Sequence, residues 1–184
     1  MPTPMPRELV EAARDGGRAQ IERLVEAIWP DAYRLARAIL GEQQGAEDAA
    51  QEACIILYRT IASLRSPAAF RVWFYRIVVR EASELKRRRA RAEHTTEPAP
   101  NIADQTESMD VWRALLALPQ NLRDVIVLRY FEDLSSREIA SVLRIPAGTV
   151  RFRLMIAKRR LHPLLSDSPE HTSHAFSEVR PDAI

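Results

Sequence analysis

The sequence predicts an all-α protein, made of two small helical domains joined by a flexible linker. Apolar residues recur at helical spacing, no stretch alternates with period two over β-branched residues, and only five glycines occur among 184 residues. Hydrophobic residues make up 46% of the chain and charged residues 28%, which is enough for a buried core. We expect an N-terminal extension (1–17), a first domain (18–92), a linker (93–108), a second domain (109–165) and a polar tail (166–184).

Charge is strongly segregated along the chain, although the formal net charge is only +2. Residues 1–92 carry a net charge of +4 and residues 111–165 carry +6, whereas 93–110 carry −5 and 166–184 carry −3. Two basic bodies separated by an acidic strip indicate two modules that face a polyanion. Of the 27 basic residues 25 are arginine, whose forked guanidinium suits phosphate and guanine contacts.

Cysteine, histidine and hydropathy patterns argue against several classes of protein. Cys54 is the only cysteine and falls in a helical apolar pattern, so we expect a small core residue and no disulfide. Neither a signal-peptide stretch nor a run of about 18 apolar residues occurs, so we expect a cytoplasmic protein without membrane insertion. His171 and His174 lack further metal ligands nearby, and we expect no cofactor.

The first domain is expected to contain four helices. Apolar spacing predicts two helices over 18–40 with their joint at Pro30 and Asp31, and a third helix over 46–64. A break then follows, with Ser66 as the cap of a long fourth helix that has Pro67 in its first turn and ends near residue 92.

The second domain is expected to contain a helix-turn-helix over residues 134–161. Ser135 and Glu138 form a capping-box pattern ahead of a helix over 136–143, and a three-residue turn leads to a second helix. Its buried stripe is Val150, Leu154, Ala157 and Leu161. This layout is typical of DNA-binding proteins, although a helical hairpin with a basic solvent face has the same pattern. Outward-facing Phe152 and Met155 favour a partner, because large apolar groups are seldom exposed without one.

At these residues the chain resembles the extracytoplasmic-function (ECF) subfamily of the sigma-70 family of RNA polymerase sigma factors. The resemblance to region 4 rests on LP at 118–119, NLRDV at 121–125, LRYF at 128–131, EIA at 138–140 and GTVR at 148–151. The resemblance to region 2 rests on DAAQEA at 48–53, and on FRVWFYRI at 70–77 followed by RRR at 87–89. Together the motifs cover roughly residues 18–165, in the family's order and spacing.

The resemblance implies an alternative sigma factor that binds core RNA polymerase and directs promoter recognition and DNA melting. Asp48, Gln51 and Glu52 would bind the clamp helices of the polymerase's largest subunit. Their spacing of i, i+3 and i+4 places them on one helical face, where they can meet basic side chains of a partner. No enzymatic activity is expected.

Region 2 would also bind the single-stranded −10 element of promoter DNA. Single strands are held by aromatic stacking and a basic track, and a base turned out of the stack needs a pocket. The residues that the resemblance assigns to this surface are Arg65, Ser66, Pro67, Trp73, Tyr75, Arg76, Arg80, Arg87 and Arg88. Of these, Trp73 is expected to be mainly structural.

Region 4 would place the second helix of its helix-turn-helix at the −35 element, where arginine can contact phosphates and guanine edges in the major groove. An anti-sigma factor is a further partner that the resemblance implies. The residues assigned to the −35 surface are Ser136, Thr149, Arg151, Phe152, Arg153, Met155 and Arg159.

Four positions depart from the family pattern. Arg80 stands where the family often has asparagine, Glu84 where it often has aspartate, and Phe152 where serine is usual. Arg144 occupies a turn position at which glycine is common, so a positive φ there would cost about 1 kcal/mol. These differences change the expected promoter sequence, and we do not predict it.

Two other classes of function explain less of the pattern. A helix-turn-helix regulator that binds DNA without polymerase would explain the second domain, but it has no need of the motifs at 48–52 and 70–77. An enzyme would need a phosphate-binding loop or a catalytic constellation, and neither occurs at a usable spacing.

Overall fold

The computed structural model describes residues 7–92 and 108–166, and within these ranges the chain is helical and contains no strand. The expected linker and tail, and the first six residues of the expected N-terminal extension, fall almost entirely outside the described residues. Eight α-helices are described: α1 Arg7–Asp15, α2 Arg18–Leu40, α3 Gln43–Thr60, α4 Phe70–Ala92, α5 Ser108–Ala117, α6 Gln120–Ile126, α7 Ser136–Leu143 and α8 Ala147–Ser166.

Helix α2 runs unbroken through Pro30, so the expected joint between two helices at Pro30 and Asp31 is wrong. Proline inside a helix costs about 3 kcal/mol. The buried stripe of Leu24, Ile28 and Leu35 continues on one face across the proline, and each such side chain contributes about 1.5–3 kcal/mol on burial. Packing therefore outweighs the missing hydrogen bond.

The boundaries of α3 and α4 differ from expectation by one turn. Helix α3 begins at Gln43 and ends at Thr60, and a 3₁₀ turn, Ile61–Ser63, takes the place of its expected last residues. A second 3₁₀ turn, Pro67–Ala69, leads into α4. Ser66 occupies the expected cap position and Pro67 the first turn, but the Ser66 side chain makes no capping hydrogen bond. Cys54 is buried as expected, and burial raises the pKa of its thiol to about 11.

Helix α1 lies within the stretch that was expected to be only an N-terminal extension. Val10 and Ala13 are buried, and the helix packs against α2 and against both 3₁₀ turns. The available signal was weak, because nine residues contain only two turns of apolar spacing and isolated helices of this length are marginal.

The chain from α6 to α7 passes through a π-helical turn, Val127–Phe131. A π-helical turn holds one residue more than an α-helical turn, and such turns are often found at functional sites. Glu132 follows the turn, donates its N–H to the Val127 carbonyl at 3.2 Å and is fully buried. The π-helical turn thus directs a carboxylate into the molecule.

The expected helix-turn-helix is present as α7 and α8. Ser135 and Glu138 form the full capping box, and all four residues of the expected stripe on α8 are buried. Arg144 ends α7 in the left-handed region, with φ 55° and ψ 45°. The turn therefore keeps the conformation that glycine would adopt, at a cost of about 1 kcal/mol.

Helices α1–α4 form an N-terminal unit and α5–α8 a C-terminal unit, and the two units pack against each other. Helix α4 lies against α7, and α2 lies against α6 and the π-helical turn. Gly41 ends α2 with a φ of 82°, and a Cβ atom there would meet Leu116 of α5 at 3.3 Å. Among the described helices, none combines the length and apolar character that crossing a membrane would require.

Candidate functional site

One exposed face of α8 carries the residues expected at the −35 element. Arg151, Met155 and Arg159 recur every four residues, which keeps them on one side of the helix. All three are exposed, as is Phe152, and the exposed fraction is 59% for Phe152 and 48% for Met155. Thr149 is half-buried in the first turn. Arg151, Phe152, Met155 and Arg159 therefore share one exposed side of α8, and Thr149 lies in its first turn.

Arg153 and Ser136 lie apart from that exposed face. Arg153 is half-buried, and its positive charge acts on the Asp124 carboxyl of α6. Ser136 is half-buried in the first turn of α7. Near this surface Lys158 lies over the ring of Tyr130, with Nζ 5.6 Å from the centroid. Arg153 thus faces an acidic group of its own unit, unlike the exposed arginines at 151 and 159.

The three residues expected to bind polymerase share one exposed face of α3. Asp48, Gln51 and Glu52 are all exposed. Asp48 lies 3.7 Å from Nη2 of Arg89, which also forms an ion pair with Glu42. Because exposed ion pairs contribute about 0–1 kcal/mol, Arg89 leaves the Asp48 carboxylate open to a stronger basic partner. We call Asp48, Gln51 and Glu52 the acidic face.

The expected base pocket is a short loop held between the two 3₁₀ turns. Arg65 and Ser66 are exposed and Pro67 is half-buried, while Leu64 on one side and Phe70 on the other are buried. The backbone N–H of Ala69 donates to the Ser66 carbonyl at 3.0 Å. Helix α1 packs against both turns, so the loop rests on a rigid support that sequence reasoning missed.

The aromatic residues of α4 are mostly structural. Phe70 and Phe74 stack with their centroids 5.8 Å apart, and Trp73 packs at a tilt against Phe70, as was expected of a mainly structural tryptophan. Tyr75 was expected to face the −10 strand, but its side chain is 0% exposed. That assignment is corrected, because a ring enclosed on all sides offers no face for a base.

The basic residues of α4 are exposed but paired with acidic neighbours. Arg80 donates to Glu81 at 2.8 Å, and Arg87 and Arg88 both donate to Glu84, at 2.5 and 3.3 Å. Such exposed pairs are weak and are further weakened by salt. The guanidinium groups of Arg80, Arg87 and Arg88 therefore remain available to phosphate. Arg76 differs from them, because it is half-buried and donates to Ser141 of α7 at 2.8 Å.

Arg123 is the buried cation of the C-terminal unit. It donates to the carbonyls of Leu115, Leu116 and Leu118 at 2.9, 2.7 and 3.0 Å, and to Ala38 of α2 at 3.2 Å. The last carbonyls of a helix have no partner within that helix. Arg123 therefore caps the end of α5 and ties it to the N-terminal unit.

Asp124 gives folding a pH dependence that one substitution should remove. Burial raises the pKa of its carboxyl to about 6, against the opposing effect of the Gln120 amide that donates to it at 2.6 Å. A raised pKa means that the folded state holds the proton more tightly, so stability is lost as pH rises through 6. Asp124→Asn should therefore raise the unfolding free energy at pH 7.5 by about 2 kcal/mol and change it little at pH 4.

Urea denaturation followed by circular dichroism at both pH values checks this. Glu8→Gln, an exposed carboxylate on α1, serves as the control and should change neither value. Equal stability of Asp124→Asn and the parent chain at pH 7.5 would show that the carboxyl is not strained by burial.

Comparison with known proteins assigns the two units to one family. The family model for sigma-70 region 2 matches residues 24–92, and that for sigma-70 region 4 matches residues 108–161. The RNA polymerase sigma-H factor of Pseudomonas aeruginosa is 30% identical over 187 residues, which cover 88% of this chain and 96% of that protein. The ECF RNA polymerase sigma factor SigM of Mycobacterium tuberculosis is 33% identical over 165 residues, which cover 86% of this chain and 83% of that protein.

A solved structure agrees with these relatives. The structure of CnrH in complex with the cytosolic domain of CnrY matches with a TM-score of 0.66 and 25% identity, and covers 88% of this chain and 97% of that one. The matched fold, the order of the two regions and the sequence relatives lead to the same assignment. The chain belongs to the sigma-70 family of RNA polymerase sigma factors, within its ECF subfamily.

Proposed function

We propose that this chain is an alternative sigma factor which docks on core RNA polymerase and directs promoter recognition and melting. The observation that carries the proposal is a pair of exposed faces of opposite charge: the acidic face on α3 and the arginine-bearing face on α8. One suits a basic protein partner and the other a polyanion. Such a protein works where the chromosome is transcribed, in the cytoplasm, and acts by binding and positioning rather than by catalysis.

The acidic face is the proposed docking surface for the clamp helices of the polymerase's largest subunit. Asp48, Gln51 and Glu52 offer acceptors to basic side chains, and charge-assisted hydrogen bonds are the stronger kind. Their exposure in the free chain means that docking requires no rearrangement of α3. The same face would serve a DNA-binding regulator no purpose.

The loop at Arg65, Ser66 and Pro67, with the exposed arginines of α4, is the proposed −10 surface. Extruding a base costs a few kcal/mol, and a loop held rigidly by α1 and α4 can hold its pocket ready. The remaining residues of this surface are Trp73, Arg76, Arg80, Arg87 and Arg88.

The exposed face of α8 is the proposed −35 surface. Arginine at 151 and 159 reaches phosphates or guanine edges, and Phe152 can contact a thymine methyl group. Ser136 and Thr149, at the first turns of α7 and α8, can contact phosphates. The same exposed Phe152 and Met155 also fit an anti-sigma partner, of the kind with which CnrH has been solved.

The reconstituted reaction tests the function. The purified chain, added to core polymerase on fragmented genomic DNA of its source, should start a defined set of run-off transcripts that core polymerase alone does not make. Tight, sequence-specific binding to duplex DNA without polymerase, and no new transcripts with it, would instead identify a simple regulator.

Arg151→Ala should lower those transcripts about tenfold and leave the affinity for core polymerase unchanged. A bidentate base contact contributes about 1–3 kcal/mol, and Arg151 lies on α8 of the C-terminal unit, whereas the acidic face lies on α3 of the N-terminal unit. Arg160→Ala is the matched control, because nine residues along the helix place it about half a turn from Arg151. Equal loss of transcripts in both variants would show that the overall positive charge of α8, rather than one of its faces, supports transcription.

A further inference from the structure

The three consecutive arginines near the end of α4 are not equivalent. Arg87 and Arg88 both pair with a glutamate of their own helix, and 63% and 73% of their side chains are exposed. Arg89 is only 34% exposed and turns toward α3, where it forms an ion pair with Glu42 and lies 3.7 Å from Asp48. The third arginine of the run therefore contacts the helix that carries the acidic face.

A glycine in the first turn of α3 makes this contact possible. Gly45 is buried, and a Cβ atom there would lie 2.7 Å from Nη1 of Arg89 and would also collide with the Glu42 carboxylate. Glycine is a poor helix former, because it loses more backbone freedom on folding than alanine does. Its place in this turn is explained by the guanidinium group, which lies against a backbone that carries no side chain.

The same guanidinium group fixes the beginning of α3. Glu42 is the N-cap residue, and its Oε1 atom accepts a hydrogen bond from the backbone N–H of Gly45 at 3.1 Å. The first N–H groups of a helix have no partner within that helix, so this bond stabilises the first turn. Nη1 of Arg89 pairs with the same Oε1 atom and holds it in the capping position. The end of α4 is thereby tied to the start of α3.

Asp48 of the acidic face lies three residues beyond Gly45, within reach of the same guanidinium group. Nη2 of Arg89 faces its Oδ2 atom, and the contact favours one orientation of the carboxylate while leaving the side chain exposed. A side chain that must be ordered on binding lowers the affinity, whereas one that is already ordered does not. Arg89 can therefore strengthen docking on the acidic face without touching the partner.

We propose that Arg89 is a positioning residue for polymerase docking: placed against the backbone of Gly45, its guanidinium group fixes the start of α3 and orients the Asp48 carboxylate. It acts through the acidic face, whereas the proposed role of Arg87 and Arg88 is to bind promoter DNA. The positioning role rests on the proposed function, because it requires that the acidic face meets polymerase. The tie between α4 and α3 is a property of the free chain.

Charge and positioning predict opposite results for Arg89→Ala. Loss of a positive charge beside a carboxylate strengthens the attraction to a basic partner, whereas loss of the positioning contact weakens docking. We expect the affinity for core polymerase to fall about fivefold, measured by anisotropy titration of the labelled chain. Arg91→Ala removes the same charge from an exposed position on the same helix and should not lower the affinity. An affinity of Arg89→Ala equal to or above that of Arg91→Ala would overturn the proposal.

Gly45→Ala displaces the guanidinium group without altering any charge. It should lower the affinity for polymerase about as much as Arg89→Ala does, while the higher helix propensity of alanine keeps α3 folded. In an Arg89→Ala background the methyl group has no guanidinium to displace, so it should change the affinity by less than about twofold. Additive losses in the double variant would show that the two residues act independently and would refute the positioning role.

A second first-turn glycine provides the control for Gly45→Ala. Gly148 lies in the first turn of α8, and a Cβ atom added there has nothing within 4 Å. Gly148→Ala should therefore leave the affinity for core polymerase unchanged. If it lowers the affinity as much as Gly45→Ala does, the loss comes from replacing a helical glycine rather than from displacing Arg89, and the proposal is wrong.

Amide hydrogen exchange in the free chain separates failure of this inference from failure of the proposed function. Arg89→Ala should speed exchange of the Gly45 amide about threefold to fivefold, and Arg91→Ala should not. Unchanged exchange in Arg89→Ala would show that the tie does not exist. If exchange rises but Asp48→Arg with Glu52→Arg still binds polymerase normally, the proposed docking surface is wrong, and the positioning role fails with it although the tie is present.

Discussion

Reversal of both carboxylates on the acidic face, Asp48→Arg with Glu52→Arg, should lower the affinity for core polymerase by about a hundredfold. Removing one partner of a buried charged pair at an interface costs about 2–5 kcal/mol, and reversal adds repulsion. Both side chains are exposed in the free chain, and the ion pair of Asp48 with Arg89 is of the weak, exposed kind, so stability should fall by no more than about 1 kcal/mol. Anisotropy titration of a labelled chain with core polymerase measures the change, and thermal unfolding checks the fold.

The control must reproduce the change in net charge at a different place. Glu8→Arg with Glu26→Arg reverses two exposed carboxylates on α1 and α2 and should lower the affinity no more than about twofold, through long-range attraction alone. If both double variants lose the same affinity, overall charge rather than the acidic face drives docking. If Arg151→Ala keeps its affinity for core polymerase but yields fewer transcripts, docking and promoter binding use different surfaces.

Arg123→Ala should destabilise the protein by about 3 kcal/mol or more. The substitution removes four hydrogen bonds from one buried guanidinium, and each buried acceptor left without a partner costs about 1–3 kcal/mol. Water entering the cavity recovers part of this loss. Urea denaturation followed by circular dichroism gives the change in unfolding free energy.

Two further variants serve as controls for Arg123→Ala. Arg160→Ala removes an exposed arginine from α8 and should change stability by less than about 0.5 kcal/mol. Arg123→Lys keeps the charge but cannot reach four carbonyls from one planar group, so its loss should approach that of Arg123→Ala. Full stability of Arg123→Lys would mean that charge, and not the forked geometry, caps α5.

The features that the sequence predicted well are those set by neighbours along the chain. The capping box at Ser135 and Glu138 needs residues only three apart, and the buried stripe of α8 needs only the helical repeat. The exposure of the acidic face follows from the same repeat. These elements are local, so the pattern of residue types determines them.

The features that the sequence predicted poorly depend on distant contacts. Pro30 was taken as a break because its local penalty is visible, whereas the packing that outweighs it comes from other helices. Tyr75 was placed on the DNA surface because neither α7 nor Glu132 can be located from the spacing around α4. Arg34 donates to Glu132 although the two are 98 residues apart, and no periodicity connects positions so distant.

The π-helical turn at Val127–Phe131 makes the position of Glu132 depend on the length of a single segment. Each residue of a helix advances the chain by about 100° around its axis. Because the wider turn already accommodates one extra residue, a homologue with one residue fewer could form an α-helical turn and still direct its acidic side chain toward Arg34 of α2, which donates to Glu132 here. A residue added without a second widened turn would instead rotate the acidic side chain by about 100° and break its contact with Arg34.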